Sequence, residues 1–236
     1  MIEFKLILLL IIAHLISDFM LQPQSWSNIK ERKLISSFHF IHVLIVGILS
    51  YILSFDPGFW WAAIILTIIH LLTDILKSLL ILRNQLKDYF FLDQLIHLAT
   101  ISGVVLAYSN FHGINFIIDI DLRTIGIITG FIFCAKPSNV LIKYILKSFS
   151  IETPTELTGY QDEKGLPNAG KLIWIVERYL ALTLILQGQF EAVGLIIAAK
   201  SILRFSGTQK SEYVLVGTLL SFSIAIFSGI LINVLS

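Results

Sequence analysis

The sequence predicts an all-α protein of the membrane, a polytopic bundle of about eight spanning helices, and three observations carry that prediction. Hydrophobic residues make up 56% of the 236-residue chain and charged residues only 14%. The mean hydropathy is +0.84, a value outside the range of soluble domains. The apolar residues also gather into runs near the roughly 20 residues that a span requires.

Taken in order, the candidate spans are 4–22, 39–55, 59–82, 90–109, 124–146, 170–187, a short 189–204, and 213–234. The first resembles a signal peptide, with Lys5 before an apolar run. It has no small-residue cleavage site and contains His14 and Asp18, so it reads as a retained helix. The fifth is interrupted by Lys136 and Pro137 and is expected to kink or tilt. The seventh is short enough to be re-entrant. Gly188, Gly194 and the Ala198-Ala199 pair read as points of close helix packing. Residues 1–236 read as a single membrane domain, with a 1–110 half and a 111–236 half of C-terminal helices. The sizeable hydrophilic loop, 150–170, lies in the second half.

Basic residues fix the expected orientation, because Lys and Arg accumulate in cytoplasmic loops. With the first span running inward, 14 of the 17 Lys and Arg fall inside and only Lys5 and Arg123 outside, while Arg178 lies within a span. Both termini are then extracytoplasmic, in a multi-pass protein of the inner or plasma membrane.

Within the first half a motif is written twice. His14 and Asp18 are four residues apart, as are His70 and Asp74, and Asp93 and His97 repeat the spacing in reverse order. Four residues along a helix is about 40° around it, so each pair shares one face. The two forward motifs are 56 residues apart, and His42 aligns with His97 at an offset of 55. The first four spans therefore read as two parallel helical-hairpin repeats, an arrangement whose interface commonly holds a site.

Ionisable groups inside a membrane segment are costly and mark function unless they are paired. Hydrogen bonding between helices averages only about 0.6 kcal/mol per bond, too little to account for three intramembrane acids. His14, Asp18, His42, His70, Asp74, Asp93 and His97 are therefore candidate metal ligands. Imidazole and carboxylate together suit zinc first, then manganese or iron. The set is large enough for one ion or two, with Asp18, Asp74 or Asp93 left over as a catalytic base. His39 and His112 sit at helix ends and read as interfacial.

A second polar group, Glu177, Arg178, Lys200 and Arg204, together with Lys77 next to Asp74, reads as a set of ligands for an anionic or lipid-linked substrate. Lys200 and Arg204 also suit contact with lipid headgroups. A single cysteine, Cys134, excludes an intrachain disulfide and a cysteine-based zinc site. There is no phosphate-binding loop, dinucleotide fingerprint or nucleic-acid motif. Partners are expected to be membrane lipid and substrate, without nucleic acid.

The segments His14-Leu-Ile-Ser-Asp18-Phe-Met-Leu-Gln22, His70-Leu-Leu-Thr-Asp74, Asp93-Gln94-Leu-Ile-His97, Gly170 through Arg178, Gly188 through Gly194 and Ala199 through Phe205 resemble a bacterial multi-pass membrane family described as domain of unknown function 3307. The resemblance covers nearly the whole chain and implies the membrane fold without implying an activity. More loosely, the intramembrane His and Asp pairs are similar to those of bacterial membrane-bound metal-dependent hydrolases. The reading that follows is a metal-dependent hydrolase of a phosphate ester or lipid-linked anion. A divalent-metal or proton-coupled transporter and a non-catalytic membrane sensor or complex subunit are its rivals.

Overall fold

A computed structural model describes residues 1–83, 89–151, 169–204 and 211–235, with side chains described except at 169, 171, 203, 204 and 211–214. These residues are helical throughout their regular structure, and no strand occurs among them. They form two compact units, Met1–Ile125 and Gly126–Ser236.

The first unit begins with α1 (Ile2–Leu15), which runs directly into a π-helical turn, Ile16–Met20. The wider turn is closed by the Leu21 N–H donating to the Ile16 carbonyl, five residues back. Pro23, in an extended conformation, ends the helix and starts α2 (Gln24–Arg32) at 84° to it. This short polar helix falls between the first two predicted spans. Its own polarity gives it no reason to span, and it turns Lys30 inward, where it is buried.

The next three helices are α3 (Ser37–Ser54), α4 (Trp60–Leu82, entered through a 3₁₀ turn at Pro57–Phe59) and α5 (Phe90–His112). α1 packs on α3 and α5, and α4 packs on the same two, so the four close into a ring with α1 and α4 on one diagonal. That is the arrangement two parallel hairpins make. One end of the ring is filled by Leu6, Leu10, Phe59, Ala62, Leu66, Ile101 and Val105. Asp56 ties that end together. Its Oδ1 accepts from the Gly58 N–H at 2.9 Å, and its Oδ2 accepts from the Tyr108 hydroxyl at 2.8 Å and the Asn115 N–H at 3.0 Å.

α6 (Leu122–Cys134) leads into the second unit, which contains α7 (Lys136–Ser148), α8 (Ala169–Leu186), α9 (Phe190–Arg204) and α10 (Ser211–Val234). α6 and α7 meet at 53°, at the Lys136-Pro137 interruption where a kink was expected. α8 and α10 are closely packed around Ala181, Leu182, Ile185, Phe222 and Ala225. Gly229 permits their approach, since a Cβ there would lie 2.5 Å from Ile185 Cγ2. Gly188 and Gly194 do not serve that purpose. Gly188 takes a left-handed φ of 74° just after α8, and a Cβ on either would meet nothing within 4 Å.

Among the described residues the number of candidate spans is smaller than eight. Four helices are long and apolar enough to cross a membrane: Ser37–Ser54, Pro57–Leu82, Phe90–His112 and Leu215–Val234. Counting each bent pair, Ile2–Met20 with Gln24–Arg32 and Leu122–Cys134 with Lys136–Ser148, as one span gives up to six. α9 has 15 residues, about 22 Å of helix against a hydrocarbon core of about 30 Å. α8 carries Lys171, Glu177 and Arg178 within 18 residues. Length removes one predicted span and charge density the other.

Candidate metal centre

Inside the ring, α1, α3, α4 and α5 contribute His14, His42, His70 and His97, one imidazole each, and all four are buried. His70 is the hub. Its ring lies parallel to that of His97 with centroids 4.1 Å apart, and its Nε2 is 3.1 Å from His42 Nε2. Asp18, carried by the π turn, points its Oδ1 into the same space. That oxygen is 3.4 Å from His14 Nδ1, 3.5 Å from His42 Nε2 and 3.8 Å from His70 Nε2.

These separations discriminate between two uses of the same groups. N–H···O hydrogen bonds cluster near 2.9–3.0 Å. Ligand atoms about 2.0–2.1 Å from a tetrahedral zinc stand about 3.3–3.4 Å from one another. The Asp18 oxygen stands at or a little beyond that spacing from three imidazole nitrogens, and beyond hydrogen-bonding distance of each. Three groups bring one ligand atom from each member within 4.8 Å of one another: His14, Asp18 and His70; His42, His70 and Asp74; and Asp74, Asp93 and His97. Each can hold a metal ion.

Hydrogen bonding around the ring points the same way. The Gln94 amide N–H₂ lies 3.4 Å from Asp93 Oδ2, which turns the amide oxygen towards His14. His14 Nε2 is 3.1 Å from that oxygen and must donate to it, so the proton sits on Nε2. In the neutral ring Nδ1 then presents a lone pair to the Asp18 carboxylate, an opposition relieved by a metal ion between them or by a second proton on the ring. An imidazole oriented through its far nitrogen is the usual preparation of a metal ligand. His42 Nδ1, Asp93 Oδ1 and His97 Nε2 are buried without a hydrogen-bond partner among the described residues. His97 Nε2 and Asp93 Oδ1 face one another at 3.6 Å.

Two lysines flank the acids. Lys77 donates to Asp93 Oδ2 at 2.8 Å, and Lys30, arriving from α2, donates to Asp74 Oδ2. No lysine pairs with Asp18 among the described residues. Its neighbour there is Ser17, whose hydroxyl lies 3.0 Å from both Asp18 Oδ1 and the His14 carbonyl and can donate its one hydrogen to either. A polar cavity on the α2 side is lined by Asp18, Gln22, Lys30, Glu31, Asp74 and Lys77. A second, on the other side of the imidazoles, is lined by His14, His70, His97, Ser50 and Thr100 together with apolar residues.

All seven candidate ligands from the sequence thus meet in one place. His42, the one without an acid on its own helix, is as close to the centre as the others. Lys30, Gln94 and Ser17 were missed. The signal for Gln94 was its place beside Asp93, whereas Lys30 lies 44 residues from its partner and had none.

His39, read as interfacial from its place at a helix end, is packed inside its unit. It is fully buried, with Nδ1 accepting from the Ser36 N–H at 3.1 Å to cap α3 and Nε2 within 3.2 Å of Ser78 Oγ. His112 is exposed and stacks on Tyr108.

The C-terminal polar group is engaged within its own unit. Arg178 is fully buried, and its guanidinium is spent on backbone carbonyls and uncharged side chains. Nε donates to the Cys134 carbonyl at 2.6 Å and NH1 to Ser221 Oγ at 3.0 Å. NH2 donates to the Ala135 carbonyl at 3.1 Å and to Asn139 Oδ1 at 2.6 Å. The two carbonyls are those released where α6 breaks before Pro137, so the guanidinium caps the break. Glu177 pairs with Lys200, whose ammonium also lies over the Phe222 ring. The Arg204 side chain and most of the 150–170 loop lie outside the described residues.

Residues 6–124 match the family described as Protein of unknown function (DUF3307). All seven candidate ligands and the four-helix ring, save the first four residues of α1, fall within that span, and Glu177, Arg178, Lys200 and Arg204 fall beyond it. No curated protein and no protein of solved structure matches the chain.

Proposed function

The chain belongs to the DUF3307 family of proteins of unknown function, and from its site we propose a membrane-embedded, metal-dependent hydrolase acting on a phosphate ester or lipid-linked anionic substrate. The observation that carries this reading is the spacing of imidazole and carboxylate atoms at ligand-to-ligand rather than hydrogen-bonding distance around Asp18. Zinc is the first candidate, with manganese or iron next. When bound, the ion supplies a Lewis acid that brings the pKa of a water towards about 7.

The chain's own groups divide the remaining work. Gln94 holds the His14 tautomer. Asp93 and His97, each with an unpartnered buried atom, are placed to take a proton. Lys30 and Lys77 line the polar cavity, each held by an acid, and an ammonium has further N–H groups to turn towards an anionic group. A transporter would need a polar path through the far end of the ring, which Leu6, Phe59, Leu66 and Val105 fill. That packing favours an enzyme reached from one side.

Purified protein in detergent is expected to contain zinc by elemental analysis. It is expected to hydrolyse an aryl phosphate at a rate abolished by a chelator and restored by metal. Metal-loaded protein with no turnover on phosphate esters, phosphodiesters or acyl esters would remove the hydrolase reading and leave a metal-stabilised sensor.

The proposed orientation puts both termini outside and the polar cavity on the cytoplasmic side, following the distribution of Lys and Arg. Single cysteines placed in the Asp56–Gly58 turn and within 150–170 should label from opposite faces of intact cells. Labelling of both from one face reverses or discards the orientation.

A further inference from the structure

We propose that the centre holds a single divalent ion, caged by Asp18, His14, His42 and His70, and that Lys30 and Lys77 occupy the charge position of a second cation. The inference rests on the metal reading above and goes beyond it by fixing stoichiometry, location and the charge of the ligand that completes the site.

Seven candidate ligands in three overlapping groups are enough for a two-metal centre, in which His70 and Asp74 would be shared. Charge decides against it. Asp18, Asp74 and Asp93 supply three negative charges within the ring, and Lys30 and Lys77 return two positive ones, leaving one negative charge with neutral imidazoles. Both pairs are formed by side chains at or below 30% exposure, so water does little to screen them. One divalent ion turns the balance to a single positive charge, which one hydroxide or one phosphodiester oxygen neutralises. A second ion would leave the buried site with three excess positive charges.

The pairing also selects the position. Asp74 and Asp93 each have one oxygen held by an ammonium. Asp18 has none so held, and it is the carboxylate surrounded by three imidazole nitrogens. A lysine ammonium presents only donors and cannot ligate a metal, yet it can fill the electrostatic place of one. Lys30 matters most here because it comes from α2, outside the duplicated hairpins. The repeat supplies acids at both halves, and α2 neutralises one of them. The substrate class that follows is a group with a single negative charge at the reacting centre, such as a phosphodiester, from a lipid headgroup or a soluble molecule.

The test is a manganese titration of detergent-purified protein, read by elemental analysis and electron paramagnetic resonance. Wild type should bind one equivalent with the signal of an isolated ion. Lys30→Met combined with Lys77→Met should admit a second equivalent and a spin-coupled signal, and the corresponding double Arg variant should stay at one. Asp18→Asn should lose the ion, whereas Asp93→Asn should keep it.

Two coupled ions in wild type overturn the proposal, as does a well-folded double Met variant that remains at one. Equal loss in Asp18→Asn and Asp93→Asn overturns the location. Should the double Met variant fail to fold, the wild-type stoichiometry and the two Asn variants decide alone. Wild type that binds no metal at all would instead refute the metal reading of the preceding section. Competition by a soluble dialkyl phosphate or by anionic phospholipid in mixed micelles then separates the two substrate sources.

Discussion

His70→Ala should abolish metal binding and turnover together while the protein still inserts into the membrane. His70 belongs to two of the three ligand groups, stacks on His97 and approaches both His42 and Asp18. Losing an outer partner of a metal site costs about 10–100-fold in affinity or activity. Loss of the central imidazole should exceed 100-fold, with metal content falling below about a tenth of an equivalent.

His39→Ala is the control. It is just as buried, but it caps α3 and meets Ser78. It should lower stability by about 1 kcal/mol through the lost cap and leave metal content unchanged. Paired measurement of metal content and thermal unfolding separates the two histidines. If His70→Ala retains full occupancy, the ion does not reside among these imidazoles.

The largest effect on stability is expected at Arg178. Its guanidinium spends four N–H groups on the Cys134 and Ala135 carbonyls, Asn139 and Ser221. At about 0.6 kcal/mol per membrane hydrogen bond, those contacts give about 2 kcal/mol, and carbonyls stranded at the helix break add to that. Arg178→Ala should therefore cost about 2–4 kcal/mol in reversible unfolding, with metal content retained. Arg178→Lys should recover only part, because one ammonium cannot reach four acceptors in the plane that the guanidinium spans. A stability change below about 0.5 kcal/mol, the range of an ordinary surface substitution, would show that the break does not depend on this residue. Loss of metal from a folded Arg178→Ala variant would return Arg178 to the functional site.

His14, His70 and His97, with their acids at a spacing of four, were legible as one site because helical periodicity converts spacing directly into a shared face. The kink at Lys136-Pro137 was legible for the same local reason, since proline removes a donor and clashes wherever it stands in a helix. The burial of His39 was not legible, because its position near a helix end says nothing of what packs over it. The excess of predicted spans came from hydropathy averaged along the chain, which does not register that α9 is too short and α8 too charged.

The sequence by itself determined the helical membrane architecture, the duplicated hairpin and the imidazole and carboxylate set, because each is a property of spacing and polarity along one strand of chain. The tertiary structure alone decided which acids are paired with a lysine and which is not. Lys30 reaches Asp74 across 44 residues, Gln94 sets the tautomer of His14 from 80 residues away, and Arg178 closes a helix break 43–44 residues before it. Such pairings follow from how helices pack and from the high cost of an unpaired charge or polar group in a membrane interior, and no local pattern encodes them.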